Sequence, residues 1–424
     1  MNVILLFAIF FALIMLSVPI GVALGSATAI TLIFTSTIDP VMIAQKAFTG
    51  LDSFTLLAIP FFMMAGNFMA LGGIAKRIVN FADLLVGKFI GGLGYVTVVG
   101  CMFFAAISGS GPATVSAMGS IMIPEMDKRG YDRDFATGLT AVSGTIGVII
   151  PPSIPFVIYG VVSGASVGSM FIAGIIPGIL IGIALMIVCG IISKKRGYKG
   201  SVKKNSSLFK AFLESFWALL APIIILGGIY TGIFTPTEAA VVATVYSLFV
   251  GLFIYKELTL EIIINSLKET ANMNGYTGLA LGFSMAFASY LAMERIPQEI
   301  ANSLLSSVSS SVILLALMMA VLLVVGCFID NISSCLILTP VMLPIATQIG
   351  VDPVHFGIIM TVALAIGFVT PPYGVNLFVA SGVSNVKIEK ISKAALPFLG
   401  AMFICLLLVA YFEPISMGLV RLLK

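Results

Sequence analysis

Four short stretches set polar and chain-breaking residues inside otherwise apolar sequence: ISGSGPAT at 107–114, SGTIGVIIPPS at 143–153, IDNISS at 329–334 and AIGFVTPPYGVN at 365–376. Pro151–Pro152 and Pro371–Pro372 remove helix donors and collide with the preceding turn, which frees carbonyls four residues back. With nearby Ser and Thr hydroxyls, such carbonyls form oxygen-only cages that suit a hard cation such as sodium. The helix segments that follow each break offer positive dipole ends to an anion. Cation candidates are Ser108, Gly109, Ser110, Gly144, Gly147, Asp330, Asn331, Ser333, Gly367 and Thr370; candidates for holding an anion are Ser110, Thr114, Ser153, Asp330 and Asn376. Each stretch also has a plain reading, a Pro-kinked helix or a tight Gly-rich turn. Asp330 could do no more than cap the half-helix starting near Asn331. Thr235-Pro236-Thr237-Glu238 has capping-box spacing with proline at the first helical position.

The elements that would position these stretches follow from length. Apolar runs 100–111 and 113–124 each reach only about 15–18 Å as helix, too short to span twice, so they form a re-entrant hairpin; a second is expected at 312–349. Runs 136–166 and 354–386 read as spanning helices broken at their Pro-Pro pairs. At an offset of 220, Pro124 meets Pro344, Gly147 meets Gly367, Pro151–Pro152 meets Pro371–Pro372, and Pro177 meets Pro397. The expected fold is therefore an all-α polytopic membrane protein of two inverted repeats. The first covers 1–193, with scaffold helices in 1–90, hairpin and broken helix in 92–166 and a helix at 168–192. A basic linker, 194–212, leads to the second repeat at 213–424, with scaffold helices in 213–310, hairpin and broken helix in 312–386 and a helix at 395–420.

Lys and Arg placement orients the chain. KKRGYKGSVKKNSSLFK at 194–210 reads as a solvated cytoplasmic loop, with lipid or subunit contact as the alternative. On this layout 18 basic residues face the cytoplasm and four (Lys46, Arg295, Arg421 and Lys424) face out. Both termini and Ser309 then lie outside, Ser201 lies inside, and 294–310 is a polar external arm.

Composition limits the function. Hydrophobic residues make up 59% of the 424 residues, charged residues 9%, and mean hydropathy is +1.16, so no water-exposed surface of ordinary kind can be built. A cytosolic enzyme and a nucleic-acid binder are excluded. The opening MNVILLFAIFFALIMLSV lacks a basic leader and reads as a retained helix. Cys101, Cys189, Cys327, Cys335 and Cys405 sit in apolar runs, as packing residues and not a disulfide framework. The single His355, beside Asp352 and Pro353, reads as a polar residue in a loop near an interface. No ATP-binding phosphate loop and no HExxH motif occurs, so no enzyme is expected.

GSGPATVSAMGS (109–120), IPPSIPFVIYG (150–160), TPTEAAVVA (235–243), FIDNISSCLILTPVMLPIA (328–346) and TPPYGVNLFVASG (370–382) resemble the large membrane subunit of TRAP (tripartite ATP-independent periplasmic) transporters, in the same order along the whole chain. The resemblance implies a bacterial inner-membrane protein and sodium-coupled uptake of an organic anion such as a C4-dicarboxylate or a sugar acid, with the general look of a sialic-acid system. It implies Na+ as coupling ion without ATP, a separate small four-helix membrane subunit and a periplasmic substrate-binding protein. It also implies an elevator, in which hairpins and broken helices slide against the remaining helices. A stand-alone sodium/divalent-anion symporter of the same broad fold is the competing expectation.

Overall fold

The structure, a computed structural model, describes residues 2–35, 39–200, 208–307 and 310–423; Ser201 and Ser309, the expected inside and outside markers, lie outside the described residues. The first repeat runs through α1 (Asn2–Met15), α2 (Ile20–Thr35), α3 (Val41–Leu51), α4 (Ala58–Leu71), α5 (Ile74–Val86), α6 (Gly92–Ser108), α7 (Gly111–Lys128), α8 (Arg133–Ser143), α9 (Ile154–Ser163) and α10 (Val167–Arg196). The second runs through α11 (Leu208–Tyr230), α12 (Pro236–Phe249), α13 (Leu260–Met293), α14 (Ile296–Ser307), α15 (Ser311–Gly326), α16 (Asn331–Gln348), α17 (Pro353–Gly367), α18 (Val375–Ser384), α19 (Ile388–Tyr411) and α20 (Pro414–Leu423). No strand occurs among the described residues. Among the same residues, seven helical stretches are long and apolar enough to cross a membrane.

The repeat is visible in the element bounds. Helices α7 and α16 start and end at the same offset that pairs the prolines, and α8 and α17 start at it too. Their caps match as well: Ser110 accepts from Ala113 N as Asp330 accepts from Ser333 N, and Asp132 and Asp352 precede α8 and α17. Ser110, Asp330 and Asp352 supply acceptors to backbone N–H groups that no helix partner reaches, whereas Asp132 makes no side-chain cap and holds Arg196 and Tyr198 instead. The two repeats interlock: α7 packs on α18 of the other repeat, α16 on α9, and α8 on α19. Around this unit, α4 packs with α12, α13 with α2 and α3, and α5 with α11. Helices α10 and α19 pack on each other and on α8, α17 and α6.

Several local expectations are corrected. The arm at 294–310 contains a helix, α14, in which Ile296 and Ile300, one turn apart ahead of the serines, give an apolar side; Ile296 is buried and α14 packs on α16. Within the stretch expected to hold scaffold helices, 213–310, α13 begins at Leu260, capped by Thr259, which accepts from Ile262 N; its 34 residues reach about 51 Å. The helix expected at 395–420 breaks between Tyr411 and Pro414, where proline has no N–H to continue it. His355 is not in a loop. It sits in α17, 4% exposed, with Nδ1 2.6 Å from Ser416 Oγ and Nε2 3.3 Å from the Ala410 carbonyl, and so ties α20 to α17.

The linker at 194–212 is not all loop. α10 continues to Arg196, and buried Tyr198 stacks on Tyr131 at 4.2 Å and donates to Asp132 Oδ2 at 2.6 Å. Burial pushes the Tyr131 phenol up to about 12 and raises that of Tyr198; both remain protonated donors. At Thr235 the capping box is complete: its hydroxyl accepts from Glu238 N at 3.3 Å, and Glu238 Oε2 accepts from Thr235 N at 2.8 Å.

Candidate functional site

Tip one, between α6 and α7, folds into a hydroxyl and carbonyl cluster. Thr114 Oγ1 donates to the Ser110 carbonyl at 2.8 Å and lies 3.0 Å from Ser108 Oγ. Gly147, in the single 3-10 turn of break one, closes on the same atoms: a Cβ there would stand 2.4 Å from Thr114 Oγ1 and 2.6 Å from the Ser110 carbonyl. Gly144 is equally tight, its Cβ position 2.2 Å from Val115 and 3.3 Å from the Gly111 carbonyl. Gly109 joins tip to break, its carbonyl accepting from Ile154 N at 3.2 Å. Ser108, Gly109, Ser110, Thr114, Gly144 and Gly147 are therefore brought together.

Asn376 joins them from the other repeat. The sequence reading placed it at break two. The packing of α18 on α7 carries it to break one, where Nδ2 donates to the Ala141 carbonyl at 3.2 Å. Its Oδ1, in a side chain 0% exposed, has no hydrogen-bond partner and lies 3.3 Å from where a Cβ on Gly111 would be. Ser143 Oγ, at the same break, is likewise buried without a partner. Buried polar atoms left in this way cost about 1–3 kcal/mol each. Two of them beside the tightly packed glycines of break one mark a place built to receive polar groups.

Tip two repeats the plan with different chemistry. The Cys327 carbonyl accepts from Gly374 N at 3.4 Å, and Gly374 is the repeat counterpart of Ile154, the donor at tip one. Gly367 meets the Gly326 backbone so closely that a Cβ would stand 2.3 Å from the Gly326 carbonyl carbon. Asp330, half-buried, accepts from Ser333 N at 3.0 Å. Asn331 Oδ1 accepts from Cys335 Sγ at 3.4 Å, while its Nδ2 has no partner; neither have Ser334 Oγ and Thr361 Oγ1. Ser334 and Thr361 were not among the sequence candidates. Ser334 carried a usable signal, since it is the repeat counterpart of Thr114; Thr361, in mid-helix, carried none.

Two candidates are already engaged within the chain. Pro152 leaves the Val148 carbonyl without its helical donor, and Ser153 Oγ fills that place at 2.6 Å while accepting from Phe156 N. Thr370 Oγ1 donates to the Ile366 carbonyl at 2.8 Å, and the Phe368 carbonyl accepts from Asn376 N at 3.0 Å. Both Pro-Pro bonds are cis. Ser153→Ala should therefore act first on the fold, leaving the Val148 carbonyl and the α9 cap unfilled at a cost of about 1–3 kcal/mol. Thermal denaturation should show a lowered Tm for Ser153→Ala, and Ser153→Thr, which keeps the hydroxyl, should recover most of it.

Paired re-entrant tips and broken helices in repeated halves define the architecture of a secondary membrane transporter. Two solved transporters share it: Alcanivorax borkumensis YdaH, with TM-score 0.67, 14% identity and 91% of each chain covered, and Neisseria gonorrhoeae MtrF, with TM-score 0.61, 12% identity and 87% and 83% covered. The family model described as "Tripartite ATP-independent periplasmic transporter, DctM component" matches residues 7–415, and the chain belongs to that family. Among its relatives, the isethionate TRAP transporter permease DctMQ of Oleidesulfovibrio alaskensis is 46% identical over 97% of this chain, which spans 65% of that longer protein. The C4-dicarboxylate large permease DctM of Rhodobacter capsulatus is 39% identical over the full length of both. The sialic acid large permease SiaM of Vibrio cholerae is 41% identical over 95% of each. The protein is thus a multi-pass membrane component of a transporter and not an enzyme.

Proposed function

We propose that this chain performs sodium-coupled secondary uptake of an organic anion across the bacterial inner membrane, by an elevator movement. In this reading the hairpins and broken helices, with α10 and α19, move against the helices packed around α4, α12 and α13. Both termini are periplasmic. The partners are a small four-helix membrane subunit and a periplasmic binding protein that delivers the substrate. The observation that carries the proposal is the tip-one cluster, where Ser108, Ser110, Thr114 and the glycines of break one meet Asn376 with buried oxygens left open. Hydroxyl and carbonyl oxygens without a net charge suit a monovalent cation that must bind and leave in each cycle. Sodium binds at both tips, and the organic anion lies between them, near Ser110, Thr114, Asp330 and Asn376.

The substrate is an organic acid, in keeping with three relatives of 39–46% identity that are named for three different ones; in this reading it is a carboxylate such as sialic acid or a C4-dicarboxylate. Reconstitution in liposomes tests the proposal. The chain alone should give no concentrative uptake; adding the small subunit, the binding protein and an inward sodium gradient should produce it. Equal uptake without the binding protein would instead support a stand-alone symporter, and uptake indifferent to sodium would remove the coupling.

A further inference from the structure

A groove of about 520 Å³ opens where the end of α10 and the starts of α8 and α19 meet, lined by Arg133, Arg196, Lys390 and Lys393 against Asp132 and Asp134. Each carboxylate is already engaged, Asp132 by Arg196 and Asp134 by Lys390 at 3.7 Å. Lys393 forms no salt bridge among the described residues, and Lys194 and Lys195 add charge in the last turn of α10. Cations at the end of α10 suit its dipole; at the start of α19 Glu389 is the carboxylate in the first turn, against Lys387, Lys390 and Lys393. Lys387 is the N-cap of α19, gives it no side-chain cap, and is followed by Lys390 and Lys393 at three-residue intervals. A bound anion would supply Lys393 with the counter-charge that the carboxylates there, Asp132 held by Arg196 and Asp134 by Lys390, do not give it.

The surroundings indicate which anion. Along the helices that lead away from the groove, α10 exposes Ile183, Ile187 and Ile191, and α19 exposes Leu396, Phe403 and Ile404. Leu396 lies within one turn of Lys393 and Ile191 within one turn of Lys194, and α10 packs on α19. A phosphate in the groove would thus have acyl-sized apolar surface running away from it into the membrane. Basic pockets between helices at the cytoplasmic surface have this recognition chemistry, and in the topology proposed above this end is cytoplasmic.

We propose that the groove between α10 and α19 binds the phosphate headgroup of an anionic phospholipid. The site lies apart from both hairpin tips, so its test is independent of sodium coupling. Phosphatidylglycerol binding to the full chain can be measured by native mass spectrometry, with phosphatidylcholine as the neutral reference. Removing Arg196, Lys390 and Lys393 together as glutamines should weaken phosphatidylglycerol binding about 100-fold, near fivefold for each charge. The same number of charges removed elsewhere on that side, as Lys76→Gln, Lys88→Gln and Lys268→Gln, should change it less than about threefold. If the triple variant does not fold, Lys393→Gln alone, on an exposed side chain without a salt bridge, should still show the fivefold loss. Equal weakening by the two triple sets, or none by Lys393→Gln, overturns the site. Inorganic phosphate that binds the chain in phosphatidylcholine nanodiscs as tightly as phosphatidylglycerol does would make it a soluble-anion site and overturn the lipid assignment.

Discussion

Asp330→Asn should cut sodium-driven uptake about 100-fold or more while leaving the Tm within a few degrees. Asp330 caps α16 through Ser333 N, and asparagine caps as well as aspartate does, so the helix start survives. What disappears is the one carboxylate at either tip, which stands in the same cap and first turn as Asn331 and Ser334 with their open polar atoms. Charged groups at membrane depth are costly and persist where function needs them. Asp330→Ala should add a capping loss of about 1 kcal/mol to the same functional defect. Uptake measured against sodium at fixed substrate, and the reverse, assigns the loss. A sodium dependence unchanged in Asp330→Asn would show that the carboxylate serves the tip geometry or the substrate instead.

Gly147→Ala should reduce uptake to below about a tenth by closing tip one. The added methyl would stand 2.4 Å from Thr114 Oγ1 and 2.6 Å from the Ser110 carbonyl, so hydroxyl and backbone must both shift. Overpacking of this kind costs about 1–3 kcal/mol, and here it falls on the atoms proposed to hold sodium. The half-saturating sodium concentration should rise with no comparable change in expression. Gly227→Ala, in α11, is the matched control, because nothing lies within 4 Å of its added methyl, and alanine is the better helix former by about 1 kcal/mol. Wild-type sodium affinity in Gly147→Ala would place the cation elsewhere.

Much of the scaffold of the site was legible because its signals are local. Asp330 read as a cap, the Pro-Pro pairs as breaks, and the short runs on either side of the tips as hairpin arms, and the structure places all three there; that Ser110 caps α7 in the same way was not read. What could not be read depends on neighbours far along the chain. Asn376 looked like part of its own break, since no periodicity tells that α18 crosses to α7. Ser153 looked free because its role depends on a carbonyl orphaned by Pro152. The serines of α14 and the polar start of α13 concealed helices that packing against α16 and α4 makes stable. His355 was read from two polar neighbours, while its partners Ala410 and Ser416 lie two and three helices further on, in α19 and α20.

Asn376 also has a consequence for biosynthesis. Membrane proteins insert in order from the N-terminus, so tip one and break one enter the bilayer long before their last polar partner is made, near the end of the second repeat. Until α18 docks, the Ala141 carbonyl lacks its Asn376 donor, and the first repeat is a half-finished pocket. Its completion must therefore be a late event in assembly, and a nascent chain stopped before residue 376 cannot possess it, however well its own helices have formed.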